Sequence, residues 1–106
     1  MIDENGLQIN GRTADISKPT DFEDRYRAFG WSVKTVDGHD VKALYEAFKS
    51  APFEEGKPSM VVAKTVKGKG ISFMENKAEY HHWHPGENEA DVALRQMEEA
   101  EIRWRI

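Results

Sequence analysis

Three short segments of this chain carry residue types able to do chemistry. The first is Asp3-Glu4-Asn5-Gly6-Leu7. A hard cation such as Mg²⁺ takes oxygen ligands from carboxylates, amides, backbone carbonyls, phosphate and water. Asn5 can give its amide oxygen and Leu7 its carbonyl, although an Asn-Gly pair is also an ordinary turn. The second segment is Thr65-Val66-Lys67-Gly68-Lys69-Gly70. Two glycines and two lysines just beyond a strand allow an anion to approach the backbone. The long glycine spacing and Lys-Ser/Thr ending of a Walker loop are absent, and a solvated basic turn is the plain alternative. The third is Tyr80-His81-His82-Trp83-His84-Pro85, which holds three of the four histidines. Imidazoles titrate near neutrality, so they can pass protons or bind a metal. In an extended stretch His82 and His84 share one side. A dedicated zinc site needs further ligands, and the chain has no cysteine to supply them. The polar rim of an active site is the better functional reading, with a bland surface loop as its alternative.

The elements that must position these segments follow from periodicity. Leu7-Gln8-Ile9 alternates between the turn dipeptides Asn5-Gly6 and Asn10-Gly11. A tiny hairpin is the naive reading, but the run is short for a hairpin arm, and a functional loop following a strand is preferred. Thr20-Asp21-Phe22-Glu23 reads as a capping box, with Thr20 at the N-cap. Phe22, Tyr26 and Phe29 then fall on one helical face, and Gly30 stops the helix. Trp31 to Val36 reads as a short strand, and Asp37-Gly38 as a turn. A second helix starts near His39 or Asp40, with Val41, Leu44, Tyr45 and Phe48 at i, i+3, i+4 and i+7. Ser50-Ala51-Pro52 closes it. Both apolar stripes are expected in the core. Met60-Val61-Val62-Ala63, extended by Lys64-Thr65-Val66, is the continuous run of a strand buried on both faces, as in parallel sheets. A loop follows through residues 71–86. Gly86 to about Trp104 reads as a final acidic helix, with Ala90, Leu94, Met97 and Glu101 on one face and the acidic run near Glu98 solvated.

Alternating helices and strands predict an α/β fold of parallel strands with flanking helices and right-handed crossovers. Only two strands are complete, and a two-stranded parallel sheet is a poor domain. The sheet is therefore expected to be incomplete in this chain, and an exposed edge would take a partner. The 106 residues suffice for one domain. Fifteen Lys and Arg against nineteen Asp and Glu leave a charge of -4, which argues against non-specific nucleic-acid binding. No run approaches the length of a membrane span, and the first residues lack the pattern of a signal peptide. The absence of cysteine removes a disulfide framework and a thiol nucleophile and fits a reducing, cytoplasmic setting.

The order of the segments is more specific than any one of them. Asp-Glu-Asn-Gly-Leu-Gln-Ile-Asn-Gly, Ala-Phe-Gly-Trp-Ser-Val, Val-Asp-Gly-His-Asp, Gly-Lys-Pro, Lys-Thr-Val-Lys-Gly-Lys-Gly-Ile-Ser-Phe-Met-Glu-Asn-Lys and Tyr-His follow one another along the chain. From Ile2 to about Leu94 the sequence resembles transketolase, most closely the N-terminal subunit of the split bacterial type. Residues 1–106 then match the C-terminal portion of its diphosphate-binding domain. The resemblance implies a thiamine diphosphate enzyme that moves a two-carbon ketol unit from a ketose phosphate to an aldose phosphate, with Mg²⁺ bound to the diphosphate. A cofactor of this kind carries the hard chemistry, while the protein positions it and supplies charge.

Under the resemblance, Asn5 corresponds to a Mg²⁺ ligand and Leu7 to a residue whose carbonyl completes the metal site. Ile9 corresponds to an apolar residue near the cofactor, and Lys67 to a cofactor-contacting lysine. His81 corresponds to a histidine that touches cofactor and substrate and assists proton transfer. Relatives continue with Gly after that histidine where this chain has His82-Trp83-His84, so His82 and His84 stay open as alternatives. The family's Gly-Asp-Gly segment, with its metal-binding Asp, and the Glu of the pyrimidine domain are not among these residues. The chain is thus expected to be inactive alone and to need a C-terminal transketolase subunit or a missing N-terminal half, with homo-oligomer formation expected. Nucleic acid and membrane are not expected partners. Three other readings compete: a non-catalytic module that pairs with another chain through its sheet edge, a histidine metal-binding protein, and a different thiamine diphosphate synthase such as the deoxyxylulose phosphate enzyme, against which the resemblance at Tyr80-His81 favours transketolase.

Overall fold

In the computed structural model, which describes residues 1–17 and 21–104, the chain forms five strands and four α-helices. They run β1 (Ile2–Glu4), β2 (Leu7–Gln8), β3 (Gly11–Arg12), α1 (Thr13–Ile16), α2 (Phe22–Ala28), β4 (Ser32–Asp37), α3 (Val41–Lys49), β5 (Ser59–Lys64) and α4 (Glu89–Trp104). A 3₁₀ turn at Ala78–His81 breaks the long loop before α4. The apolar run becomes β5, the centre of a parallel sheet of order β1-β5-β4. Met60, Val61, Val62 and Ala63 are all buried, as a strand covered on both faces requires.

The two helices next to β4 lie on opposite faces of the sheet, and neighbouring side chains of β4 show it. Successive strand residues point to opposite faces. Thr35 donates its hydroxyl to Glu23 of α2 at 2.9 Å, while Lys34 reaches Ser50 at the end of α3 at 2.7 Å. Two crossovers of the same hand, running in opposite directions along the sheet, give this layering, and the general rule for such units is a right hand. On the α2 face Lys64 of β5 bonds Glu4 of β1 and lies 3.2 Å from Glu23. One ammonium thus ties two strands and a helix.

Helix α2 ends as its sequence requires. The Gly30 N–H bonds the Arg27 carbonyl and the Trp31 N–H bonds the Tyr26 carbonyl, at 2.9 and 3.0 Å. Gly30 takes φ +87°, and Trp31 stacks edge-on with Tyr26 at 5.3 Å. Together these complete a Schellman stop with its hydrophobic contact.

Several expectations are corrected. The N-cap of α2 is Asp21, whose carboxylate accepts the Asp24 N–H at 2.9 Å; Thr20 lies outside the described residues. Glu23 accordingly does not close a box but turns to Thr35 and Lys64. The Leu7 segment is the small hairpin after all, β2 paired antiparallel with β3. Its arms are short, yet the Thr13 N–H to Gly6 carbonyl bond at 2.9 Å extends the ladder by one pair. The apolar stripes are only partly covered by the described residues: Phe22, Tyr26 and Leu44 are half-buried, and the rest of each stripe is exposed. Phe29 is 77% exposed and Val41 74%, with Tyr45 and Phe48 also exposed. In α4 the buried residue is Ala93, whereas Leu94 and Met97 face out. That helix is set by a reciprocal pair, Ser72 N–H to the Gln96 amide oxygen and the Gln96 amide to the Ser72 hydroxyl, each 2.8 Å. The polar pair turns inward a face neighbouring the apolar one.

Candidate functional site

The register of the sheet decides where loops can meet. Glu4 and Asp37 both stand level with Lys64, so β1, β4 and β5 end together. Asn5–Leu7, Gly38–Asp40 and Thr65–Lys67 therefore emerge side by side, at the edge where open α/β sheets bind ligands.

The Asn5 side chain turns back on its own strand. Its amide oxygen accepts the Leu7 N–H at 2.9 Å. Hydrogen-bonded and non-bonded pairs alternate in an antiparallel ladder. With Gly6 and Thr13 as a bonded pair, Leu7 and Arg12 form a non-bonded one. The Leu7 N–H and carbonyl thus both face away from β3, on the side of the Asn5 amide. Two oxygens of the kind Mg²⁺ accepts are brought to one side of the chain, a partial shell that phosphate and water oxygens could complete. Among the described residues no group of three His, Asp or Glu side chains is placed to hold a metal.

The Thr65–Lys67 segment is pinned at several points. The Gly38 N–H bonds the Lys64 carbonyl at 2.8 Å. A Cβ on Gly38 would collide with the Thr65 methyl and lie 3.0 Å from that carbonyl. The Thr65 hydroxyl donates to Asp3. The Val66 N–H donates to Nε2 of His39 at 2.8 Å. Beyond them the Lys67 carbonyl accepts the Asn76 N–H at 2.8 Å, closing the loop on itself. Gly68 takes φ +74°, and a Cβ there would press on the Met74 carbonyl at 2.8 Å. The close turn needs glycine.

His81 ends the 3₁₀ turn, which packs on the β2–β3 hairpin. Phe73, Tyr80 and Trp83 form a ring triangle with centroids 5.9 to 6.5 Å apart, a small core under that turn. Glu89 fastens it, accepting the Trp83 indole N–H at 3.1 Å and the Gly86 N–H at 2.8 Å. The Gly86 N–H and then the Trp83 indole hold the Glu89 carboxyl below its usual range. The His81 and His82 rings meet edge-on at 4.8 Å.

One hollow of about 310 Å³ is lined by Asn5, Leu7, Gln8, Ile9, Lys67 and His81. Of the residues singled out in the sequence it gathers Asn5, Leu7, Ile9, Lys67 and His81, the five assigned through the resemblance, with Gln8 added. Neither His82 nor His84 lines it. Lys67 and His81 are its titratable side chains, and no carboxylate is among its lining residues. In a chain of net charge -4 that is a local reversal suited to an anion. A neighbouring hollow of about 410 Å³, along the outer edge of β1, shares Asn5, Leu7 and Gln8 but includes Asp3 and Glu4. His39 and Gln8 are the residues that sequence reasoning passed over. Asp37-Gly38-His39-Asp40 reads as a turn and helix start, and its structure does both: Asp37 accepts the His39 N–H and Asp40 caps α3. Only the fold reveals the reach of His39 to Val66.

Comparison with known proteins identifies the family. Residues 1–100 match the family model described as transketolase, thiamine diphosphate binding domain. The chain is 35% identical over 99 residues to an apulose-4-phosphate transketolase subunit of Phocaeicola vulgatus, covering 93% of this chain and 35% of that protein. It is 39% identical over 98 residues to 6-deoxy-6-sulfo-D-fructose transketolase subunit SqwG of Clostridium sp., covering 92% and 36%. Transketolase-like protein 2 of Mus musculus is 40% identical over 99 residues, covering 92% and 16%. The chain spans about a third of the length of the two subunit relatives. With the family model matched over nearly its whole length, the chain belongs to the transketolase thiamine diphosphate-binding domain family.

Proposed function

We propose that this chain supplies one wall of a transketolase active site, binding the diphosphate end of thiamine diphosphate and its Mg²⁺. The observation that carries the reading is the carboxylate-free hollow at the carboxyl ends of parallel strands, lined by Asn5, Leu7, Ile9, Lys67 and His81. In this reading the Asn5 amide oxygen and the Leu7 carbonyl ligate Mg²⁺. Lys67 sets its ammonium against the diphosphate charge. Ile9, at the hairpin tip, gives an apolar contact to the cofactor. His81 faces cofactor and substrate and donates or accepts a proton there. Thiamine diphosphate, when bound, supplies the carbanion chemistry by which a two-carbon ketol unit passes between sugar phosphates.

The activity needs more protein than this chain provides. Relatives of this kind are named as subunits, and the chain covers about a third of them. We take it as one part of a cytoplasmic, multi-chain transketolase, inactive in ketol transfer when alone and self-associating. Among the described residues no helix is long and apolar enough to cross a membrane. A second reading, a non-catalytic module that docks on another chain, is favoured by the exposed Val41, Tyr45 and Phe48 and by the outer edge of β1.

Titration calorimetry of the purified chain with thiamine diphosphate and Mg²⁺ separates the two. The first reading expects Mg²⁺-dependent binding that weakens at least tenfold, or ~1.4 kcal/mol, in Asn5→Ala. Absence of binding, with a stable complex formed on another chain regardless of cofactor, would replace it with the second.

A further inference from the structure

We infer that His39 is a positioning residue for Lys67: its imidazole holds the Val66–Lys67 backbone so that the lysine stays on the wall of the hollow. The inference rests on the diphosphate-binding reading above. His39 sits at the start of α3, far along the chain from the hollow and not part of its lining. Its own backbone is fixed, because its N–H donates to the Asp37 carboxylate at 2.8 Å. The preceding Gly38 is bonded to the Lys64 carbonyl and has no room for a side chain. From this fixed base the ring reaches the next loop, and Nε2 accepts the Val66 N–H at 2.8 Å. As the acceptor, Nε2 carries no proton, so the ring holds its hydrogen on Nδ1.

Lys67 directly follows Val66. Its backbone is therefore held on both sides, by His39 through the Val66 N–H and by Asn76 through the Lys67 carbonyl. The hold matters because an ammonium on a long flexible side chain acts on an anion only where its backbone keeps it. Without His39 the exposed Val66 N–H can turn to water, and the segment between Thr65 and Asn76 loses one of its anchors. The residue acts on the ligand through Lys67 and does not touch it.

The test is calorimetric titration of the full chain with thiamine diphosphate and Mg²⁺, with a melting curve for every variant. His39→Ala is expected to bind about 3- to 10-fold more weakly, the effect of one lost net hydrogen bond. His39→Gln, whose amide oxygen can accept where Nε2 did, should restore affinity to within about twofold. In a Lys67→Met background, His39→Ala should cost nothing further, because the lysine it positions is gone. Amide exchange gives a readout free of any ligand: the Val66 N–H should exchange faster in His39→Ala and not in His39→Gln. Wild-type binding with an unchanged His39→Ala, or an equal loss in the Lys67→Met background, overturns the inference and leaves the site reading standing. Unchanged Val66 exchange overturns it as well. A well-folded wild-type chain that binds no thiamine diphosphate overturns the site reading and the inference with it. If His39→Ala fails to fold, His39→Gln decides: it must match the wild type in affinity and Val66 protection.

Discussion

Strand β5 and helix α3 are joined in sequence and in contact in space, and their apolar residues have opposite fates. In β5, Met60 to Ala63 are buried, with Val62 wholly inaccessible. In α3 the stripe of Val41, Tyr45 and Phe48 is exposed, and only Ala47 is fully buried. The stripe is the clearer pattern in the sequence. A strand in mid-sheet is covered by whatever lies on either face, and α2 and α3 do that for β5. A helix has one side against the sheet, and the rest of its apolar arc needs a further layer that the described residues do not supply. Apolar periodicity thus reports which face seeks cover, not what covers it.

The sharpest test of this contrast is Val62→Asp. A charge in a wholly buried site with no partner should abolish cooperative unfolding in urea; a folded variant would mean that β5 is not the core. Gly38→Ala tests the junction between the two elements, where a Cβ would meet the Thr65 methyl and the Lys64 carbonyl. Overpacking there should cost about 1–3 kcal/mol by denaturant titration, and a neutral result would show the α3 turn to be looser than its geometry.

The next test concerns the charged end of β5. Bonds from its own backbone N–H, and then from Thr35 and Lys64, lower the Glu23 pKa from 4.5 to about 2 against the opposing effect of desolvation. A depressed carboxyl pKa adds stability that is present above about 4.5 and lost as pH falls toward 2. Glu23→Gln should remove that part of the acid sensitivity, on the order of 2 kcal/mol at neutral pH. Lys64 shifts upward, chiefly through Glu4, so its contribution holds below its usual 10.5 and fades at higher pH. An acid limb unchanged by Glu23→Gln would remove this account. The smallest effect belongs to Val41→Glu in α3, where the native side chain is 74% exposed. It should change the stability of the lone chain by less than ~0.5 kcal/mol. If another chain covers the stripe, the same substitution should lower the stability of that assembly. A large loss in the lone chain would mean that the stripe is already covered.

Local features were readable where one residue type settles the matter. Gly30 ends α2 because only glycine takes its backbone angle freely, and a continuous run of Val and Ala this short reads as a two-sided strand. The hairpin was offered by its turn dipeptides but set behind a loop, since its two-residue arms are held by the Gly6–Thr13 bond and the Asn5 turn rather than by any pattern of their own. The face of α4 was not readable either. It follows from the Gln96–Ser72 pair, a contact between residues 24 positions apart. For the candidate site, Asn5, Leu7, Ile9, Lys67 and His81 each announced themselves by type or by resemblance, whereas His39 announced only the start of a helix.

The kinds of element from α2 onward, the parallel α/β class and the chemical character of three loops were settled at the level of the chain, because they depend on local periodicity, turn chemistry and side-chain type; β1 to α1, read as a loop, were not. That Glu4, Asp37 and Lys64 stand level was settled only by folding. So was the consequence that loops far apart in the chain open into one hollow. The span of the His39 imidazole from one loop to the backbone of another belongs to the same class. Register and reach are properties of strands already paired, and no stretch of the chain carries them before pairing occurs.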